Sequence, residues 1–215
     1  MSSTPERRSY DASRRREKAR ATRRSVILAA RDEFEAGGYQ TTTIAAVARR
    51  AGVSAETVYK SFGNKPTLAK AVFDFVIAGD DEPVPVAARA DAAATQAEPD
   101  VRRKIATYSH DMAARQARSG RVQIAIRDGR TGDPEIGRIW QTLLDERLTG
   151  MTMLGRHLLG TGQLRPGVEL DEVRDVLWTY IAVELYELLV LERGWWVQRY
   201  ADWIALAITA ALCDP

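Results

Sequence analysis

The sequence predicts an all-α protein of about nine helices, with an N-terminal three-helix unit followed by a larger helical bundle. Apolar residues recur at the three- and four-residue spacing of amphipathic helices along most of the chain. The sequence shows no alternating strand pattern and no Asn-Gly hairpin signal. Glycine-containing breaks separate stretches of about 20–25 residues or fewer, which is an ordinary length for helices of globular proteins.

The composition is that of an ordinary globular protein, with 45% hydrophobic and 28% charged residues in a chain of 215. No apolar run approaches the roughly 18 residues that a membrane-spanning helix needs. The apolar stretch at 26–30 is shorter than a signal-peptide core of about 7–15 residues. We therefore expect a cytoplasmic protein without membrane contact. Cys213 is the only cysteine, so we expect no intrachain disulfide and no structural metal site built on thiolates. We expect no other metal site and no cofactor.

The charge is divided unequally along the chain. Residues 1–70 carry 15 Lys and Arg against 7 Asp and Glu, whereas residues 71–215 carry 16 against 22. A basic N-terminal third suits a polyanionic partner, because Lys and Arg release the counterions condensed on phosphates. Residues 1–17 read as a basic arm that is expected to be disordered. The arginines from Arg7 to Arg24 either track a minor groove or form a solubilising tail.

Three short helices are predicted within residues 18–65. The first starts near Lys18, buries a stripe that includes Val26 and Phe34, and ends at Gly37-Gly38. Thr43 is an N-cap for the second helix, which runs to Ala51, and Gly52-Val53-Ser54 forms a turn before the third helix. The third helix, from Ala55 to Phe62, shows a largely polar face.

Two short helices joined by a three- or four-residue turn form a helix-turn-helix unit, whose second helix enters the major groove of DNA. The N-terminal residues of that helix reach base edges, and Tyr59 and Lys60 further along suit phosphate oxygens. Helix N-termini at Thr43 and at Asn64-Lys65 are candidate phosphate clamps. The same geometry also occurs in proteins that never bind DNA. The candidate DNA-binding residues are Thr43, Ser54, Ala55, Glu56, Thr57, Tyr59, Lys60 and Lys65.

Residues 20–70 resemble the DNA-binding domain of TetR-type transcriptional regulators. The matching features are Gly38-Tyr39 at the end of the first helix, Thr43 at the start of the second, and the Gly52-Val53-Ser54 turn. The recognition-helix pattern Thr-x-Tyr-x-x-Phe follows at residues 57–62, with Lys65 after it. The resemblance implies phosphate contacts from Thr43, Tyr59 and Lys65, and groove contacts from residues 54–60. Pro66 departs from the family, where a helix former such as Glu is commoner.

By resemblance, residues 66–215 form a ligand-sensing and dimerisation domain, and the stretch from Gly79 to Pro99 reads as a connector. Two long helices, Leu170 to Glu192 and Trp195 to Leu212, are apolar over arcs too wide for one buried face, which favours a homodimer through a four-helix bundle. Burial within a single chain is the alternative. The residues of these arcs are Val176, Leu177, Tyr180, Ile181, Leu185 and Leu188 on the first helix, and Trp196, Tyr200, Trp203, Ile204, Ala207 and Ile208 on the second.

A catalytic site is not expected, because His110 and His157 have no neighbours at acid–base or ligand spacing and no phosphate-binding loop is present. Glu184 and Glu187 could form a general acid pair or the counter-charge of a cationic ligand, but a position at the edge of a dimer seam is the simpler expectation. An effector pocket between helices is predicted instead, although ordinary core packing explains each lining residue as well. Its candidate residues are Tyr108, Met112, Trp140, Leu144, Leu148, Met151, Leu154 and Trp178.

Together these features predict a non-enzymatic, dimeric, sequence-specific transcriptional regulator. The expected partners are a near-palindromic double-stranded DNA operator and a small, largely apolar effector that releases the protein as a repressor. The alternative is an architectural DNA-binding protein without sequence preference, held on DNA by its basic arm.

Overall fold

The computed structural model describes residues 5–79 and 90–215, and these ranges contain helices and connecting turns but no strand. The predicted all-α class is confirmed. The helices are α1 (Pro5–Thr41), α2 (Ile44–Ala51), α3 (Ala55–Phe62), α4 (Lys65–Ala78), α5 (Ala90–Ala97), α6 (Val101–Gly129), α7 (Pro134–Leu159), α8 (Leu170–Tyr180), α9 (Val183–Tyr186) and α10 (Val197–Leu212), with a π-helical segment (Glu187–Glu192) before α10.

Helix α1 begins earlier than the sequence pattern indicates. It starts at Pro5 rather than near Lys18, so the arm expected to be disordered is helical from Pro5 onward, and residues 1–4 lie outside the described residues. The helix is interrupted at Gly38, whose φ of 79° and ψ of 172° are non-helical. This break lies where the Gly37-Gly38 pair predicts it, because glycine reaches positive φ without a steric penalty.

Part of the predicted connector is a helix. Residues 90–97 form α5, and residues 80–89 lie outside the described residues. Lys104 of α6 donates to the carbonyl oxygens of Thr95 at 3.0 Å and Gln96 at 2.8 Å, which holds the end of α5 against α6.

Two hydrophobic cores organise the described residues. The first joins α1–α4 to the end of α6 and the start of α7; the second joins the start of α6 to α8 and α10. Helix α6 contributes Val122 and Ile126 to the first core and Ile105 and Met112 to the second. The two cores are therefore held in register by one continuous helix.

The prediction of a long helix from Leu170 to Glu192 is wrong. Helix α8 ends at Tyr180, and Ala182 adopts an extended conformation before α9. The Ile181 carbonyl oxygen accepts a hydrogen bond from the Gln116 side chain at 2.7 Å, so a side chain of α6 takes the place of a helical amide. The last helix likewise starts at Val197 rather than Trp195.

Two glycines in the middle of long helices give a matched test of this packing. A Cβ at Gly120 would lie 2.8 Å from the buried Tyr186 ring, whereas a Cβ at Gly150 meets nothing within 4 Å. We expect Gly120→Ala to lower the free energy of unfolding by about 1–3 kcal/mol through overpacking. Gly150→Ala should raise it by about 0.5–1 kcal/mol, because alanine is the better helix former. Urea denaturation measures both, and equal effects would contradict the described contact between α6 and Tyr186.

Candidate nucleic-acid interface

The geometry of the helix-turn-helix unit is fixed by its caps. The Thr43 hydroxyl oxygen accepts from the Ala46 amide at 3.1 Å, and the Ser54 hydroxyl oxygen accepts from the Thr57 amide at 3.1 Å. Gly52 ends α2 in the left-handed region with φ of 69°. These contacts satisfy amides that no helical carbonyl can reach, so local sequence sets both helix boundaries.

Helix α3 divides its side chains between packing and solvent. Val58 and Phe62 are buried against the first core, one turn apart, and they fix the orientation of the helix. Tyr59 leaves 53% of its surface exposed, and Glu56 and Lys60 are also exposed. A large exposed aromatic side chain between two buried anchors is available to a partner that fits this face.

The predicted contact residues lie close together along the chain and differ in exposure. Thr43 and Ser54 are exposed, although their hydroxyl oxygens already serve as caps. Ala55 and Thr57 are half-buried, and the Thr57 hydroxyl lies 2.9 Å from that of Ser54. The freely presented side chains on α3 are therefore those of Glu56, Tyr59 and Lys60.

Lys65 has a structural role that the sequence does not show. Its ammonium donates to the carbonyl oxygens of Tyr39 and Thr42, both at 2.9 Å, and lies 4.1 Å from the centre of the Tyr39 ring. Burial lowers the pKa of Lys65, and the nearby Asp133 opposes that shift. An ammonium has three N–H donors, so two are committed to the loop before α2 and one is left for a phosphate.

A polar junction that the sequence pattern does not predict connects the helix-turn-helix unit to the bundle. The Tyr39 hydroxyl donates to Asp133 at 2.6 Å, and the Asn64 side-chain amide donates to Glu135 at 2.9 Å. Asp133 also accepts from the Glu135 amide at 2.9 Å as the N-cap of α7. Asp133-Pro134 is a recognisable helix start, but nothing in the sequence pairs it with a tyrosine 94 positions earlier.

An arginine of α1 contacts the C-terminal end of α3. Arg23 donates to the Ser61 carbonyl oxygen at 3.0 Å, and its guanidinium carbon lies 4.3 Å from the centre of the Phe62 ring. On α2, Arg50 pairs with Glu33 at 2.6 Å. Part of the basic charge near α3 is thus already used within the protein, and residues 14–16 of α1 are exposed to solvent.

The eight predicted effector residues do not form one group. Tyr108, Met112, Met151, Leu154 and Trp178 belong to the second core, whereas Trp140 and Leu144 pack in the first core and Leu148 is 39% exposed. A cleft of about 570 Å³ between the end of α1 and the end of α6 is lined by other residues, including Glu35, Arg121 and Glu187. Within the described residues, no cluster of three or more His, Cys, Asp or Glu side chains is placed to hold a metal ion. No described helix is both long and apolar enough for a membrane span.

The arrangement defines a helical protein with an N-terminal helix-turn-helix unit. Residues 26–72 match the family model of the bacterial regulatory proteins of the tetR family. The resemblance drawn from residues 20–70 is thereby confirmed: this segment matches the N-terminal segment that defines the tetR family. No curated protein sequence matches the chain.

Solved structures share the fold over most of the chain. The fatty acid degradation regulator FadR from Bacillus halodurans is 15% identical, with a TM-score of 0.70 over 87% of this chain and 94% of its own. FadR from Bacillus subtilis, solved in complex with stearoyl-CoA, is 15% identical, with a TM-score of 0.68 over 87% of this chain and 97% of its own. NalD, described as the secondary repressor of the MexAB-OprM multidrug efflux pump in Pseudomonas aeruginosa, is 20% identical, with a TM-score of 0.68 over 92% of this chain and 98% of its own.

The Tyr39–Asp133 contact predicts a pH-dependent stability. The Tyr39 hydroxyl, followed by the α7 amides, holds the pKa of Asp133 below its ordinary value, against the effect of burial. A depressed carboxyl pKa stabilises the folded state above the ordinary aspartate value of 3.8, and this contribution is lost as pH falls through the folded-state pKa. Tyr39→Phe should therefore lower the urea midpoint at pH 6, and its difference from wild type should be smaller at pH 3, below the ordinary aspartate pKa.

The matched control for this experiment is Tyr59→Phe, which also removes one hydroxyl but from an exposed ring. We expect its urea midpoint to follow wild type at both pH values. If Tyr39→Phe lowers the urea midpoint by the same amount at both pH values, the hydroxyl does not act through the Asp133 carboxylate.

Proposed function

We propose that the protein is a dimeric, sequence-specific transcriptional regulator that represses from a near-palindromic operator and is released by a small, largely apolar effector. The observation that carries the proposal is the face of α3, where Tyr59 stands exposed between the buried anchors Val58 and Phe62. A protein that bound nothing here would have no reason to fix a short capped helix with its largest aromatic side chain in solvent. As a regulator of transcription it would act in the cytoplasm, beside the chromosome.

The contacts with DNA follow from the direction and exposure of α3. Its N-terminus, capped by Ser54, would enter the roughly 12 Å wide major groove, where Glu56 is the exposed side chain nearest the base edges. Tyr59 and Lys60 would reach phosphate oxygens on the flanks, and Thr43 and Lys65 would add contacts from the starts of α2 and α4. Ala55 and Thr57 would contribute through close packing against the bases.

An experiment on DNA selection tests this proposal. Wild type should enrich a near-palindromic motif from random duplexes, and Tyr59→Ala with Lys60→Ala should lose it while unfolding at the same urea concentration, because both side chains are exposed. At physiological salt we expect wild type to prefer the selected site over random DNA by about 10³-fold or more.

The matched control is Met153→Ala with Arg156→Ala, two exposed positions on α7 away from α3, and it should select the wild-type motif. Strong binding without any enriched motif, falling steeply with salt, would instead support the architectural alternative, in which the exposed arginines of α1 bind phosphates without reading sequence.

A dimer through the C-terminal helices is supported by large apolar side chains that one chain leaves uncovered. Leu206 and Trp196 are each 68% exposed, and Leu188 is 50% exposed. The opposite face of α10 is buried in the second core through Tyr200 and Ile204. Of the arcs predicted as a dimer seam, Tyr200 and Ile204 are thus buried within the chain and Leu188 and Trp196 are exposed, and Leu206 is an exposed residue outside them. We assign the exposed residues to a contact with a second copy.

Replacing Leu206 with Asp tests this interface. A charge at the centre of an apolar contact between two copies should convert the dimer to a monomer in analytical ultracentrifugation and weaken operator binding at least about tenfold. Met153→Asp places the same charge on an α7 residue that is 54% exposed, and it should remain dimeric. An unchanged sedimentation coefficient for Leu206→Asp would exclude this face as the dimer contact.

Release by an effector is supported by the connection between the two cores. A ligand in the second core would act on α6, whose far end contacts the helix-turn-helix unit, since a Cβ at Gly129 would lie 2.6 Å from the Tyr39 ring. A ligand changes operator affinity only through a difference in its affinity for two conformations. FadR from Bacillus subtilis, which shares this fold, was solved in complex with stearoyl-CoA, and a ligand with a long apolar chain in that protein supports the proposal of an effector site here.

A further inference from the structure

A group of polar side chains lies within the second core, between α6, α7 and α8. Tyr108 comes from α6, Arg147 and Met151 come from adjacent turns of α7, and Trp178 comes from α8. The guanidinium carbon of Arg147 lies 4.3 Å from the centre of the Trp178 ring. The Tyr108 hydroxyl lies 3.3 Å from the Met151 sulfur. Three helices thus bring these groups to one place.

What these groups share is a lack of hydrogen-bond acceptors. The Arg147 Nε and the Trp178 Nε1 are both inaccessible to solvent, and neither has a partner among the described residues. The Tyr108 hydroxyl donates only to a thioether sulfur, which is a weak acceptor. Buried donors are nearly always paired in folded proteins, so unpaired ones point to a group that is added when the protein functions.

The charges around the group favour an anion. Burial raises the pKa of the Tyr108 hydroxyl to about 12, and the positive charges of Arg115 and Arg147 oppose that shift. Burial lowers the pKa of Arg147, and Glu184 and Tyr108 oppose that shift. Glu184 is also 3.6 Å from Arg127, so its charge is divided between two arginines. The site therefore has more positive charge than its one acidic neighbour neutralises.

We propose that Arg147, Tyr108 and Trp178 bind the carboxylate of a small amphipathic acid whose apolar body lies against Met112, Met151 and Leu154. A carboxylate has only acceptor positions, about four of them, and would satisfy all three donors together. The methionines are flexible enough to move aside for a body of unspecified shape. This inference rests on the proposed function, because it names the chemical class of the effector.

Binding of the acid would also change the contacts around Arg127. A carboxylate on Arg147 would supply the opposite charge that Glu184 now supplies only through its field. Glu184 would then be left to Arg127, which already pairs with Glu187 at 2.7 Å. Arg127 lies in the last turn of α6, next to the Gly129 contact with Tyr39. Charge pairing at the ligand site is thereby connected to the helix end that supports the DNA-binding unit.

Isothermal titration calorimetry on the full chain tests the proposal with two acids, octanoate and 2-naphthoate, and with their neutral counterparts 1-octanol and 2-naphthalenemethanol. At least one acid should bind with a Kd below about 1 mM and at least about tenfold more tightly than its neutral counterpart. Arg147→Met should abolish that preference. Arg156→Met, an exposed arginine on the same helix, should retain it.

Tyr108→Phe removes only the hydroxyl, and Trp178→Phe removes the indole N–H but keeps an aromatic side chain, so both variants test the site even if Arg147→Met is too unstable to measure. Each should weaken the acid several-fold without affecting the neutral compound. Equal affinity for acid and neutral compound, an acid preference that survives Arg147→Met in a folded variant, or no binding by either acid would overturn the proposal.

The outcome is separable from that of the proposed function. If the protein selects an operator but binds neither acid, the proposed function as a regulator is supported and the proposed carboxylate effector is refuted. If the protein binds the acid through Arg147 but selects no operator, the carboxylate site is supported and the proposed function as a transcriptional regulator is refuted.

Discussion

One helix belongs to both hydrophobic cores, and the relative position of the two functional regions depends on it. Helix α6 has 29 residues and is about 43 Å long, at 1.5 Å per residue. Its first turns contribute Ile105 and Met112 to the core that it shares with α8 and α10, and its last turns pack against α1 and α4 through Val122 and Ile126. Because close-packed side chains have few alternative arrangements, a displacement at one end of this helix is carried to the other.

Helix α6 is fixed by contacts at its C-terminal end and near its middle. At the end that contacts the helix-turn-helix unit, Gly129 lets the Tyr39 ring approach α6, and the Tyr39 hydroxyl donates to Asp133, the N-cap of α7. In the bundle, Gln116 binds the Ile181 carbonyl oxygen and accepts from Tyr200 at 3.2 Å, so the break between α8 and α9 is attached to α6. Polar contacts with defined geometry thus fix the helix at positions where its neighbours are irregular.

Much of the DNA-binding unit could be predicted from the sequence, because its boundaries are set by local chemistry. Thr43, Gly52 and Ser54 are capping residues whose roles depend on neighbours within four positions, and the structure places α2 and α3 between them as expected. The match of residues 26–72 to the tetR family agrees with the same motif. Helix α1 starts at Pro5, about one arm length before the predicted start near Lys18. The longer helix is compatible with the basic sequence, because Arg and Lys are good helix formers.

The features that the sequence could not give depend on residues far apart in the chain. The break at Ile181 depends on a side chain 65 positions earlier, and apolar periodicity alone continues straight through it. The prediction of the effector residues depends on residue type alone. Only the fold shows that Trp140 lies in the first core and that Tyr108 and Trp178 lie in the second. The internal role of Lys65 is likewise invisible in a motif, because its partners are backbone carbonyl oxygens of another loop.

The central proposal is that two copies of α3 are held at the spacing of successive major grooves. The distance between them can be measured by pulsed electron paramagnetic resonance on Ser61→Cys with Cys213→Ser, since Ser61 is exposed on α3 and Cys213 is the only native cysteine. On a selected duplex, we expect one narrow distance distribution near the roughly 34–36 Å that separates successive turns of DNA. The absence of any intermolecular distance, or a broad distribution that DNA does not narrow, would contradict a dimer that reads two half-sites.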